Sequence, residues 1–194
     1  YEYGGSAISA MSMEERMTIC NMSIECGARG GLIAPDEVTF QYLKNKSFSP
    51  KDEAFQKAIE HWKTLVSDDK CSFDKEIDID VDNLEPMITW GTNPSQAMSI
   101  HEKIPDDAML DADEKRALEY THLKSGSSII DTPIEWAFVG SCTNGRIEDL
   151  RIAAKVLKDR KIHPSVTFYI VPGSESVRVQ AKAEGLDKIF IEAG

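Results

Sequence analysis

Through the N-terminal part of the chain apolar residues return every three or four positions, the period of a helix that buries one face. Ser12 followed by Glu15 matches a capping box, so a helix is predicted from Met13 to about Cys26, where Gly27, Gly30 and Gly31 end it. A short apolar piece at 32–34 leads to Pro35 at the start of a second helix containing Val38, Phe40, Tyr42 and Leu43. A third is predicted over 51–66, with Phe55, Ala58, Ile59, Trp62 and Leu65 on its apolar face. The period then changes. Ile77, Ile79 and Val81 alternate with Asp78, Asp80 and Asp82, the pattern of a strand with one wet side, and 86–90 reads as another short strand.

Residues 101–131 are rich in Asp and Glu, contain Pro105 and Gly126, and hold one predicted helix at 113–123, so they read as a connection between two lobes. Beyond them strands and helices alternate. Ile134, Trp136, Phe138 and Val139 mark a buried strand, followed by a helix over 147–159 with Ile147, Leu150, Ala153, Ala154, Val156 and Leu157 at helical spacing. A strand at 166–171, a helix at 174–184 and an apolar piece at 188–191 complete the pattern. Alternation of this kind implies an α/β fold with parallel strands and flanking helices. The expected organisation is the end of one α/β domain in 1–100, the acidic connection in 101–131, and the start of the next α/β domain in 132–194.

Composition narrows the class. At 41% hydrophobic and 28% charged, the 194 residues fit a soluble globular protein, cytoplasmic or organellar, and no apolar run is long enough to span a membrane. The excess of 33 acidic over 22 basic residues, a net charge of -11, disfavours nucleic acid as a partner, because phosphate contacts need a positive face. A small dicarboxylate remains compatible where local Arg side chains, a helix N-terminus or a metal supplies positive charge. Cys20, Cys26, Cys71 and Cys142 form no Cys-Xaa-Xaa-Cys pair, so no disulfide framework is expected. Cys20 and Cys26 are expected to pack as small hydrophobes and Cys71 to lie in a polar loop, while His61, His101, His122 and His163 lack metal-ligand spacing.

Two stretches carry candidate chemistry. Cys142 falls in a Gly-Ser-Cys-Thr-Asn-Gly turn between an apolar strand and a helix, where ligands of open α/β sheets bind and where the helix dipole favours a thiolate able to hold a soft metal. A buried structural cysteine in a tight turn is the competing reading. Asn21 and Glu25, four residues apart with Thr18, would share one helix face and hold a hydroxyl or water through complementary donor and acceptor groups. An exposed polar stripe competes with that reading. Arg146 and Arg151 are candidates for an anion site near the turn, with surface ion pairs to Glu148 or Asp149 as the competing reading of Arg146.

Ser141-Cys142-Thr143-Asn144, within 138–150, closely resembles the first cluster-cysteine motif of the aconitase superfamily. The run at 13–28, with Cys20-Asn21-Met22-Ser23-Ile24-Glu25 at its centre, resembles that superfamily's Asn-and-Glu active-site helix. Ile33-Ala34-Pro35-Asp36-Glu37, His61-Trp62-Lys63-Thr64-Leu65 and Thr89-Trp90-Gly91-Thr92-Asn93-Pro94 are similar to large subunits of its isopropylmalate dehydratase branch. The similarity covers nearly the whole chain, weakening at 67–79 and 100–133.

The resemblance implies an aconitase-like α/β fold and a hydro-lyase that isomerises 2-isopropylmalate to 3-isopropylmalate, by dehydration and rehydration, in leucine biosynthesis. It further implies a 4Fe-4S cluster held by three thiolates, of which Cys142 is one, with Asn144 beside the cofactor. Asn21 would lie near the cluster and Glu25 would contact the substrate-side water or hydroxyl. A separate small subunit would contribute a serine base. The family's Cys-Xaa-Xaa-Cys, Asp-His and Gly-Asp-Ser-His-Thr segments do not occur in this sequence, so it is expected to be an internal fragment, inactive alone. A homoaconitase or aconitase-type dehydratase, and a non-catalytic α/β interaction module, are the alternatives.

Overall fold

A computed structural model of the chain describes residues 1–141 and 143–194. These fall into two compact units, one made of Tyr1–Lys75 with Glu135–Gly194 and the other of Glu76–Ile134. Both helices and strands are present, and two of the strand pairs are parallel, as an α/β fold requires.

In the first unit, β1 (Glu2–Tyr3) is followed by α1 (Ser6–Ala10) and α2 (Met13–Met22). The predicted capping box is formed: Ser12 Oγ accepts from Glu15 N at 3.3 Å and Glu15 Oε2 accepts from Ser12 N at 2.8 Å. The helix stops at Met22, four residues earlier than expected. Backbone bonds from Glu25 to Met22, Cys26 to Ser23 and Gly27 to Ile24 carry the chain onward as tight turns until Gly27, at φ 81°, reverses it. Next, β2 (Leu32–Ile33) pairs in parallel with β1. Asp36 caps α3 (Glu37–Leu43) by accepting from Val38 N and Thr39 N at 3.0 and 3.3 Å. From α3 the buried Phe40 stacks on Trp62 of α4 (Asp52–Trp62) with centroids 6.0 Å apart, and Phe55 meets the same indole edge-on.

The alternating residues 77–81 form no strand. Ile77 and Ile79 are exposed, and Asp80 Oδ1 accepts from Asp82 N at 2.9 Å in a local turn that competes with extension. Period-two alternation makes a strand only where a neighbouring strand takes up its backbone groups.

Within the second unit, β3 (Met87–Thr89) pairs antiparallel with β4 (Ala97–Ser99), Ile88 opposite Met98. The buried Gln96 closes the hairpin loop, its Oε1 accepting from Thr92 N at 2.6 Å and Asn93 N at 3.3 Å. A Cβ at Gly91 would strike that carboxamide and push it from its bonds. Asp111 caps α5 (Ala112–Thr121), and Trp90, Met98, Ile104, Leu110 and Leu118 form the core. Residues 101–131, expected as a connection, thus contribute Ile104, Leu110 and Leu118 to the core of a folded unit.

The last part of the chain returns to the first unit. Here β5 (Trp136–Val139), α6 (Ile147–Leu157), β6 (Thr167–Ile170), α7 (Glu175–Ala183) and α8 (Leu186–Ala193) follow in order. Strands β5 and β6 pair in parallel, Trp136 opposite Thr167 and Val139 opposite Ile170. Ile147, Leu150, Ala154, Ala181 and Leu186 pack into a core with Ile170, Val177, Ile189 and Phe190, so the helices cover one sheet face. Trp136 and Phe138 point to the other, 64% and 61% exposed, with the Trp136 ring stacked on Tyr169 at 5.4 Å. The expected buried strand is therefore buried on one side. Both faces of a parallel strand become dry only where layers cover both. No helix among the described residues is long and apolar enough to cross a membrane.

Candidate functional site

Asn21 lies on the last turn of α2 and is exposed. Glu25, also exposed, stands in the turns beyond the helix, so the expected common helix face ends between them. Thr18 Oγ1 is turned back onto its own helix, donating to Glu14 O at 2.9 Å. The backbone that presents Asn21 and Glu25 is nevertheless fixed from below. Buried Ser23, between them in sequence, bonds Tyr3 Oη at 2.7 Å and donates to Ile19 O at 2.9 Å. Tyr1 N donates to Gly30 O at 2.8 Å and Tyr1 Oη donates to Cys26 O at 3.2 Å. Gly31 comes so near that a Cβ there would stand 2.7 Å from Cys20 Cα and collide with Ser23 Oγ.

At its opposite end α2 is anchored by Arg16, only 3% exposed. Its guanidinium donates twice to Asp36, at 2.7 and 2.8 Å, and once each to Ser9 O and Met11 O, at 2.9 and 3.1 Å. The Arg16 bonds, with smaller help from the N–H groups of Thr39 and Val38, hold the Asp36 carboxyl below the usual carboxylate range against the opposing effect of burial. One residue pair thereby ties α1, α2 and the α3 cap together. Both residues lie in motif runs, but nothing in their spacing joins them. Asp36 before Glu37 was a readable helix cap, whereas an Arg on a polar helix gives no local sign of burial.

The second candidate stretch leaves β5 at its carboxyl end. Cys142 lies outside the described residues, and its neighbours define the loop around it. Ser141 Oγ accepts from Thr143 N at 3.2 Å and Asn144 N at 3.0 Å. Buried Thr143 bonds Ser141 Oγ at 3.0 Å and donates to exposed Asn144 Oδ1 at 2.7 Å. Arg146 donates through Nη1 to Thr143 O, so that its charge caps the loop backbone instead of a neighbouring carboxylate. Arg151 makes a two-bond ion pair with Glu184, at 2.8 and 2.7 Å, which ties α6 to the end of α7, and a looser one with Glu148 on its own helix. Both side chains are thus engaged within the protein. Asn21 and Glu25 share one segment, Asn144 and the cysteine loop another, and both segments belong to the same compact unit.

The remaining thiols are distant from this loop in sequence. Cys20 is half-buried and burial pushes its thiol up, whereas Cys26, expected to pack as a small hydrophobe, is exposed on the turns past α2. Cys71 is exposed, as a polar-loop residue should be, and all four histidines are exposed. Among the described residues no group of three or more His, Cys, Asp or Glu could hold a metal ion.

A thiolate with neutral hydrogen-bonding neighbours would suit one corner of an iron-sulfur cluster. A single thiol lies in sequence among the neutral hydrogen-bonding side chains of Ser141, Thr143 and Asn144, in a loop whose flanking glycines admit no Cβ against the next strand's exit.

A model of the aconitase family (aconitate hydratase) matches residues 1–194, and the chain belongs to that family. It is 53% identical over 198 residues to the 3-isopropylmalate dehydratase large subunit of Prochlorococcus marinus (strain MIT 9301), covering 100% of this chain and 42% of that protein. The same-named subunits of strain MIT 9515 and of subspecies pastoris (strain CCMP1986 / NIES-2087 / MED4) are 53% and 52% identical with the same coverage. The chain thus spans less than half the length of these relatives.

Proposed function

We propose that this chain is the part of a 3-isopropylmalate dehydratase large subunit that supplies one cluster ligand and two substrate-side groups. The observation that carries the reading is an identity of 52–53%, over alignments that cover the whole chain, to proteins of that name. Cys142 is assigned as a thiolate ligand of a 4Fe-4S cluster and Asn144 as its neighbour. When bound, the cluster supplies a Lewis acid for the substrate hydroxyl. Glu25 holds the substrate-side water or hydroxyl, and Asn21 lies near the cluster, with an amide that can both donate and accept. The buried Ser23 between them keeps that backbone from adjusting freely, which suits groups that must be placed before the reaction begins.

The remaining ligands and anion-binding groups belong to the rest of the longer subunit, and a separate small subunit, implied by the relatives' name, contributes the base that takes the carbon-bound proton. The net charge of -11 makes local positive groups essential for a hydroxy-dicarboxylate. The test is isomerisation of 2-isopropylmalate to 3-isopropylmalate by the full-length subunit with its small subunit, with citrate and homocitrate as comparison substrates. Turnover selective for isopropylmalate is expected. Turnover of citrate or homocitrate alone would assign the chain to another branch of the family, and no turnover with a loaded cluster would reject the enzyme reading.

A further inference from the structure

The exit of β6 runs against both ends of the loop that carries Cys142. At the near end Gly140, at φ 141°, lies so close to Val171 that a Cβ would collide with Val171 O and stand 2.9 Å from Val171 Cβ. Val171 N also donates to Val139 O at 2.8 Å. At the far end Gly173 N donates to Gly145 O at 2.7 Å. A Cβ on Gly173 would stand 2.9 Å from that same oxygen. One on Gly145 would stand 2.9 Å from Gly173 N and 3.2 Å from Ser141 O. Gly145 and Gly173 are not among the residues with positive φ, so an L side chain suits their backbone angles. Glycine serves here for space alone. Pro172, between the two contacts, fixes one backbone angle of the segment.

We propose that Val171-Pro172-Gly173 is a backbone clasp that positions the Cys142 loop for its ligand, with Gly173 as the positioning residue. The inference rests on the reading of Cys142 as a cluster ligand. Neither Val171 nor Gly173 brings a donor side chain of its own to a cluster. What the segment does is hold Gly140 and Gly145, the two ends of a loop whose interior is already knitted by Ser141 Oγ, at one separation. An added methyl group at Gly173 presses on backbone atoms, which cannot turn aside as a side chain does. The Gly145 end of the loop must therefore move while the Gly140 end stays on Val171.

The test uses the full-length subunit, reconstituted anaerobically with iron and sulfide, and follows cluster absorbance during challenge with an iron chelator. Gly173→Ala is expected to keep the wild-type far-UV circular dichroism of the apo-subunit but to lose iron about tenfold faster or more, the usual scale for disturbing the groups that orient a metal ligand. Gly4→Ala, whose Cβ meets nothing within 4 Å, is the control and should match wild type. Should Gly173→Ala fail to fold, Pro172→Gly frees the same segment without adding an atom and should shorten the cluster's lifetime in the same direction. A wild-type rate of iron loss in Gly173→Ala, or in Pro172→Gly where the alanine variant does not fold, overturns the clasp. Cys142→Ser run in parallel separates the two readings: if it still holds the cluster, the ligand assignment beneath the proposal fails.

Discussion

Arg16→Met tests whether the buried guanidinium, more than apolar packing, holds the helix that carries Asn21. Methionine keeps much of the volume and removes four hydrogen bonds: two to Asp36, one to Ser9 O and one to Met11 O. Bonds to a charged group contribute about 1.5–3 kcal/mol each, but they are not additive and the Asp36 side chain is 40% exposed, so water takes over part of its loss. The expected destabilisation is then about 3 kcal/mol, at the lower end for breaking a buried pair. With a urea dependence of about 2 kcal/mol per molar, the midpoint falls by roughly 1.5 M. Urea titration followed by Trp62 fluorescence reports it directly, in a background with Trp90 and Trp136 changed to Phe, because Trp62 stacks on Phe40 of the helix that Asp36 caps. The pH dependence has a fixed sign. Asp36 is held below its usual range in the fold, so its contribution is fully present above the unfolded carboxyl value, about 3.9, and is lost as pH falls through the lower folded value. The stability gap between wild type and Asp36→Asn should therefore close below that pH. A midpoint shift under about 0.3 M for Arg16→Met, or a gap unchanged at acid pH, would refute the reasoning.

Gly31→Ala should destabilise the fold by about 1–3 kcal/mol, because the new methyl meets the α2 backbone at Cys20; a wild-type urea midpoint would show that the turn yields without cost. Gln96→Ala should destabilise the second unit by about 1–3 kcal/mol by leaving Thr92 N and Asn93 N without their acceptor, read by amide exchange at those two positions. In the assembled enzyme Glu25→Gln should leave the cluster spectrum intact and lower turnover roughly a hundredfold, the scale for a positioned proton-handling group, and unchanged turnover would make Glu25 an ordinary surface residue.

Features encoded by neighbouring residues were readable from the chain, and features that need a distant partner were not. The Ser12 and Glu15 box, the apolar faces that meet at Phe40 and Trp62, and the α/β alternation after residue 134 all rest on short-range spacing, and each is present in the fold. Residues 77–81 show where spacing alone fails, since alternating Ile and Asp satisfy the strand pattern while no partner strand takes up their backbone. Trp136 and Phe138 were expected inside because the strand is apolar, but burial depends on a second layer that the strand itself does not encode. The acidity of 101–131 belongs to the surface of a small unit whose few core residues, Ile104, Leu110 and Leu118, are diluted among charges. At the candidate site the motif residues were visible. Their supports, Arg16 with Asp36, Ser23, and the glycine contacts at Val171 and Gly173, are pairings across long sequence gaps.

The central claim is that Cys142, alone among the four cysteines of this chain, is a cluster ligand. The most direct measurement is the iron content and visible absorbance of the reconstituted full-length subunit in four variants, Cys20→Ser, Cys26→Ser, Cys71→Ser and Cys142→Ser. Loss of the cluster in Cys142→Ser, with wild-type loading in the other three, is the predicted result. A loaded cluster in Cys142→Ser, or its loss in Cys20→Ser, Cys26→Ser or Cys71→Ser with the fold intact, would contradict it.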